Sequence, residues 1–406
     1  MPSSTSAPIG LADLGKLIES PFARLRSLLD GIEPGLSPID MTIGEPRHAM
    51  PELLRGALLE GFAGFSKYPP IGGTPELLAA IAGWLGRRYP SLAGAIDPAR
   101  HIVPLSGSRE GLFSAIFPAM ARRPSLARPA VLMPNPFYQA YLAAAVAAQA
   151  EPVMLAAEEA TGFLPDLDAI PHDLLGRTAA FYLASPANPQ GAVADTAYLA
   201  KAIGLAREHG FLLFLDECYS EIYRDEPPAG GLEAAQQLGS GFSNLAVFNS
   251  LSKRSNLPGL RSGFIAGDPD FLAAFAKFRN VAAPQMPLPV QHASAALWSD
   301  DAHVGPSQAL YRAKFAAAEE LLKGKLRPTI PAGAFFLWLR TDHFGGSEAA
   351  AKTFWKECGV KVLPGAYLAQ TETSGRNPGA DYIRVALVDD LALTREAFER
   401  LARLSS

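Results

Sequence analysis

Four short apolar runs, 130–133, 180–183, 211–215 and 245–248, each break off into a polar loop, and that recurrence narrows the folds open to this chain more than any other feature. The first runs into Pro134, Asn135, Pro136, Phe137 and Tyr138, and the second into Ser185, Pro186, Ala187 and Asn188. The third ends in Asp216, Glu217, Cys218 and Tyr219, and the fourth in Ser250, Leu251, Ser252 and Lys253. A strand with one face in water alternates apolar and polar residues, whereas a strand apolar on both faces suits a parallel sheet covered by helices on both sides. Ligands of such sheets bind at the carboxyl ends of the strands, so the four polar loops are expected to open onto one crevice.

Helices fit between and around the runs. Thr74 reads as an N-cap, with Pro75 in the first helical position and Glu76 in the first turn, ahead of apolar Leu77, Leu78, Ile81 and Leu85. Leu112, Phe113, Ile116, Phe117 and Met120 recur at helical spacing after Ser106, Gly107 and Ser108. A long helix is expected over 308–322, a strand over 334–339 and a final helix around 393–404. At 406 residues the chain exceeds what one core holds comfortably. The expected division is an N-terminal arm with part of a small domain (1–45), a large domain (46–300) and a small C-terminal α/β domain (301–406).

The composition, 49% hydrophobic and 19% charged with a formal net charge of −4, is that of a globular protein and offers no basic field for nucleic acid. The first twenty residues carry no basic segment leading into an apolar stretch, and nowhere do about 18 apolar residues run together, so a cytoplasmic, non-membrane protein is expected. The two cysteines, Cys218 and Cys358, are too few for a disulfide framework, and they form no metal-ligand spacing with the seven histidines.

The chemistry centres on Lys253. A lysine able to form an imine, preceded by the hydroxyls of Ser250 and Ser252 and followed by the guanidinium of Arg261, is equipped to hold a phosphorylated aldehyde, and pyridoxal phosphate is the candidate cofactor. Asp216 ends its apolar run as a carboxylate that would be expensive to bury without a cationic partner, and a pyridinium nitrogen is such a partner. Tyr219 and Asn188 are candidate donors to the ring oxygen, and Tyr138 a candidate for stacking on the ring. Taken singly, Tyr138 reads better as a core tyrosine and Asn188 as a turn residue. Ser108 and Arg109 follow Gly107 at a helix start, where backbone N–H groups favour an anion. Arg384 lies in an apolar strand-like stretch, where either a substrate carboxylate or a neighbouring acid would complete it.

In this order the residues resemble the fold type I, class I and II pyridoxal-phosphate aminotransferases over nearly the whole length. The resemblance rests on the turn Gly44, Glu45, Pro46; on Tyr68; on Gly107, Ser108, Arg109; on Asn135 to Tyr138; and on Asn188, Asp216 with Tyr219, Lys253, Arg261 and Arg384. It implies the α/β fold of PLP-dependent transferases of fold type I, with a large domain whose mostly parallel sheet lies between helices, plus a smaller α/β domain. It also implies that Lys253, Asp216 and Tyr219 are catalytic, and that Arg384, Gly44 and Asn188 face the substrate. Tyr68 is implied to reach the cofactor phosphate of a neighbouring subunit, which makes the working unit a homodimer with shared active sites. The stretches 216–223, 249–263, 362–368 and 384–388 are similar to proteobacterial N-succinyldiaminopimelate aminotransferases, which implies a ping-pong exchange with glutamate and 2-oxoglutarate on the diaminopimelate route to lysine. N-acetylornithine, aspartate or aromatic substrates, a PLP lyase, and a PLP-binding regulatory protein without turnover remain as alternatives. Residues 284–289 and 341–349 look particular to this chain and are candidate parts of the substrate wall.

Overall fold

The computed structural model describes residues 19–326, 328 and 330–404, so the first 18 residues of the expected N-terminal arm lie outside it. All four apolar runs are strands of one seven-stranded sheet: β1 (Ile102–Leu105), β2 (Ala130–Asn135), β3 (Glu151–Ala156), β4 (Thr178–Ala184), β5 (Leu212–Asp216), β6 (Leu245–Ser250) and β7 (Gly263–Gly267). Their order is β1-β7-β6-β5-β4-β2-β3. The ladders from β6 through β3 are parallel, while β7 runs antiparallel to both of its neighbours.

Why the runs are apolar throughout is visible in where successive side chains go. Leu213 and Leu215 of β5 join one core, with Phe181, Leu183, Leu245 and Val247. Leu212 and Phe214 join the core on the opposite face, with Ala180, Tyr182, Ala246 and Phe248. Helices Pro75–Arg88, Thr196–His209, Gly231–Leu238 and Leu288–Ser299 cover the first face, and Ser108–Ser114, Gln139–Ala147 and Pro269–Ala282 the second. With both faces dry, every position of a central strand gains by being apolar.

A separate core is built on β8 (Phe336–Arg340), β9 (Leu363–Pro364) and β10 (Tyr382–Ala386), which form an antiparallel sheet in the order β9-β10-β8. Helices Val304–Leu322, Ser347–Cys358 and Leu391–Arg403 pack on it, and Ile39 and Met41 belong to the same core. Residues Ile39 and Asp40 pair in parallel with Val360 and Lys361.

Local expectations meet local structure unevenly. Thr74 caps Pro75–Arg88, its hydroxyl accepting from the Leu77 N–H at 3.3 Å. The helix expected from 108 onward is instead two, Ser108–Ser114 and Ile116–Ala121. Pro118 has no N–H to give the Ser114 carbonyl, and the ladder opens there. The strand expected at 334 begins at Phe336, because Ala334 turns out of the extended region at φ 60° and its N–H goes to the Ile222 carbonyl. Among the described residues no helix is long and apolar enough to cross a membrane.

Candidate active site

The loops after β2, β4, β5 and β6 line one cavity of about 510 Å³ between the large sheet and the smaller core. It contains Ser108, Arg109, Tyr138, Asn188, Asp216, Tyr219, Ser250, Ser252, Lys253, Arg261, Arg384 and Gly44. Tyr68 is not among its walls; the side chain is fully exposed on the outside of the chain. Within the single chain neither 284–289 nor 341–349 lines the cavity. Pro287 instead caps the helix Leu288–Ser299, and 341–349 forms a 3-10 turn, Asp342–Phe344, and the start of the helix Ser347–Cys358.

Lys253 stands in a short helix, Leu251–Arg254, that begins directly at the end of β6. Ser250 caps that helix, accepting from the Ser252 N–H at 3.0 Å, and its hydroxyl lies 2.9 Å from the Ser262 carbonyl. The Lys253 amine donates to the Gly44 carbonyl at 2.5 Å and lies over the rings of Phe335 and Tyr219, at 5.1 and 5.8 Å. Burial lowers its pKa from the ordinary lysine value to about 8, with Arg384 and Arg109 adding to the effect and Cys218 and Glu45 opposing it. Such a shift raises the neutral, nucleophilic fraction at neutral pH by roughly two orders of magnitude.

Asp216 closes β5 and is half-buried at the cavity floor. The Tyr141 hydroxyl donates to its Oδ2 at 2.7 Å and the Cys218 N–H to its Oδ1 at 3.2 Å. Burial nevertheless pushes its carboxyl above the usual range. A carboxylate in this position is stabilised by a cation placed against it. Tyr141 carried no signal in the sequence, being one aromatic in an alanine-rich helix; its ring stacks on Tyr182 with centroids 4.6 Å apart, which aims its hydroxyl at Asp216.

Arg384 sits in β10 and is buried. It donates to Asn188 Oδ1 at 3.0 Å and to the Thr42 carbonyl at 2.7 Å, with its guanidinium 4.4 Å from the centre of the Phe336 ring. Its Nε has no partner, and among the described residues no carboxylate pairs with it. Burial lowers its pKa to about 10. Of the two completions left open by the sequence, a neighbouring acid is therefore absent among the described residues. At another part of the wall Gly107 has φ +85°, and a Cβ built there would meet Arg261 Nη2 at 2.0 Å. The absent side chain is what lets the Arg261 guanidinium lie against Gly107. Arg109 donates from Nε to the Tyr138 hydroxyl at 2.5 Å, and the Tyr138 ring meets Tyr141 edge-on.

One activated amine, one carboxylate in need of a cation, a cluster of hydroxyls beside Arg261 and an uncompleted arginine together fit the functional groups of pyridoxal phosphate and an amino acid. Among the described residues no group of three or more His, Cys, Asp or Glu side chains is arranged to hold a metal ion.

Comparison with known proteins agrees with this donor set. The family model for aminotransferase class I and II matches residues 37–394. The LL-diaminopimelate aminotransferase of Syntrophobacter fumaroxidans is 31% identical over 377 residues, covering 91% of this chain and 92% of its own. An aminotransferase structure from Neisseria meningitidis superposes with a TM-score of 0.91 at 39% identity, covering 98% of this chain and all of that one. A structure from Thermus thermophilus, described as a "probable N-succinyldiaminopimelate aminotransferase", superposes with a TM-score of 0.81 at 27% identity over 95% of this chain and all of the other. With the match spanning both cores and the cavity between them, the chain belongs to the aminotransferase class I and II family and is a pyridoxal-phosphate-dependent aminotransferase.

Proposed function

We propose that this enzyme exchanges an amino group between glutamate and a diaminopimelate derivative, N-succinyldiaminopimelate, on the route to lysine. The observation that carries the reading is Arg384, a buried cation with an unpartnered Nε on the wall of the cavity that also holds Lys253. A substrate carboxylate completes Arg384, and the amine of the same substrate is then held within reach of Lys253. The remaining wall of Phe22, Ile43, Phe163, Leu164 and Pro165 leaves room for an extended, partly apolar side chain. A second reading, LL-diaminopimelate itself, is favoured by the likeness to the LL-diaminopimelate aminotransferase of Syntrophobacter.

Pyridoxal phosphate, when bound, supplies an electron sink for the electrons left when a Cα proton is removed. Lys253 provides the covalent attachment and, once displaced, the base that carries that proton. Asp216 presents its carboxylate to the pyridinium nitrogen, and the Tyr141 hydroxyl fixes the carboxylate's orientation. Tyr219 and Asn188 supply donors to the ring oxygen, and Asn188 also orients Arg384. Tyr138 covers the ring, while Ser108, Arg109, Ser250, Ser252 and Arg261 form the phosphate end. Gly44 closes the substrate side.

The division into domains at about 45 and 300 is part of the same proposal, supported by the membership of Ile39, Met41 and the helix Val304–Leu322 in the smaller core. So is a homodimer in which Tyr68 serves the neighbouring site. Its support is the exposed apolar row Leu59, Phe62, Phe65, Tyr68 and Ile71, a surface of the kind that partners cover.

The test is half-reaction spectroscopy. The loaded enzyme is mixed in turn with glutamate, N-succinyldiaminopimelate, LL-diaminopimelate, N-acetylornithine, aspartate and phenylalanine, and the loss of the cofactor's visible band is timed. The proposal requires glutamate and N-succinyldiaminopimelate to react fastest. A faster reaction with LL-diaminopimelate selects the second reading, and reaction with aspartate or phenylalanine alone overturns both.

A further inference from the structure

The chain passes from one core to the other after Met41 and again between Trp298 and Tyr311. The two crossings are bonded to each other beside the cofactor lysine. Lys314, fully buried on the helix Val304–Leu322, lies with its amine 2.7 Å from His48 Nε2 and donates to the Leu387 carbonyl at 3.0 Å. An ammonium only donates, so His48 Nε2 accepts and the proton of the ring is on Nδ1. That Nδ1 lies 3.0 Å from the Ser307 hydroxyl. The same hydroxyl accepts from Asn256 Nδ2 at 3.2 Å, and Asn256 Nδ2 also reaches the Ala49 carbonyl at 3.4 Å. Burial and the neighbouring Lys314 lower His48 to about 4, and burial lowers Lys314 to about 8, so near pH 7 the ring is neutral and the lysine is mostly an ammonium.

Arg254 and Ser255, which follow Lys253, are committed to the second crossing. Arg254 donates to the carbonyls of Leu297 and Asp300 and to Asp301 Oδ1. Ser255 Oγ lies 2.8 Å from His303 Nε2, whose Nδ1 is 2.5 Å from Asp300 Oδ2. This Asp-His-Ser order is that of a hydrolytic triad, but the serine has no exposed surface and meets no substrate. The first crossing, in turn, carries the Thr42 carbonyl bonded to Arg384 and the Gly44 carbonyl bonded to Lys253.

We propose that Lys314, His48, Ser307 and Asn256 form an interdomain clasp that positions the 42–49 segment, so that its carbonyls hold Arg384 and the mouth of the cavity in the geometry that binds the substrate carboxylate. These are positioning residues; none of them lines the cavity. The inference rests on the reading of Arg384 and Gly44 as substrate-facing.

Ser307→Ala removes the hydroxyl on which His48 and Asn256 converge, at the cost of a single oxygen atom. Expected is a three- to tenfold rise, roughly, in KM for glutamate with kcat nearly unchanged. The Kd of glutarate, an unreactive dicarboxylate titrated against the cofactor's visible band, is expected to weaken by the same factor. Ser307→Thr, which keeps the hydroxyl, restores both. Lys314→Met is expected to reproduce the effect from the other end of the clasp. If Ser307→Ala leaves KM and the glutarate Kd unchanged, the clasp has no positioning role, whatever its effect on thermal stability. Arg384→Ala run in parallel separates the failures: an altered KM there with none in Ser307→Ala overturns the clasp alone, and no change in either overturns the substrate-facing reading as well.

Discussion

At the scale of single residues, the cavity works by desolvation. Lys253 and Asp216 carry opposite charges that burial disfavours, and the two are moved in opposite directions, the amine down to about 8 and the carboxyl up. The lysine shift gives a pH dependence whose sign is fixed. The neutral amine is the reactive form, so the rate at which apoenzyme captures added pyridoxal phosphate is expected to rise as pH is raised through about 8 and to level off above it. Stopped-flow absorbance measures this, and a rate flat from pH 6 to pH 10 would remove the lysine from the capture step. Asp216 and Arg384 were legible in the sequence because each is a charged residue inside or at the end of an apolar run, and Lys253 because hydroxyls precede it and Arg261 follows it. Tyr141 and the Thr42 carbonyl were not, and Gly44 was named only through the family resemblance, since their roles come from contacts with partners far along the chain and from backbone atoms that every residue has.

At the scale of elements, strand ends and glycines set the precision of the site. Gly107 combines a positive φ with a close approach of Arg261, so Gly107→Ala both strains the turn and displaces the guanidinium. The expected outcome is roughly tenfold weaker pyridoxal phosphate binding, read by fluorescence titration of the apoenzyme. Unchanged affinity would mean that Arg261 lies away from the phosphate. The four central strands were legible because sustained apolarity needs no partner to be recognised. β1, β3 and β7 were not: β1 contains Pro104, β3 opens on Glu151 and Pro152, and β7 is bounded by Gly263 and Gly267. Their strand state comes from neighbours that supply the ladder, which overrides weak local propensity.

For the whole molecule, the cavity is formed between two cores, and its walls come from segments as far apart as Gly44 and Arg384. The exposed row from Leu59 to Ile71 is the surface that the proposed dimer covers. Sedimentation of the enzyme is expected to give a dimer, and the pair Phe62→Glu and Phe65→Glu to shift it to monomer with loss of cofactor affinity. A monomeric wild type with full activity would make Tyr68 an ordinary surface residue.

The four central strands, the candidate lysine and the family itself followed from the order of residues, because hydrophobic patterning and short motifs are local and survive without coordinates. The hold of Asn188 and the Thr42 carbonyl on Arg384, the support of Asp216 by Tyr141, and the bonding of both interdomain crossings behind Lys253 were decided only by the tertiary structure. Each depends on distances between segments remote in sequence, and a hydrogen bond is defined by tenths of an ångström that no local pattern encodes.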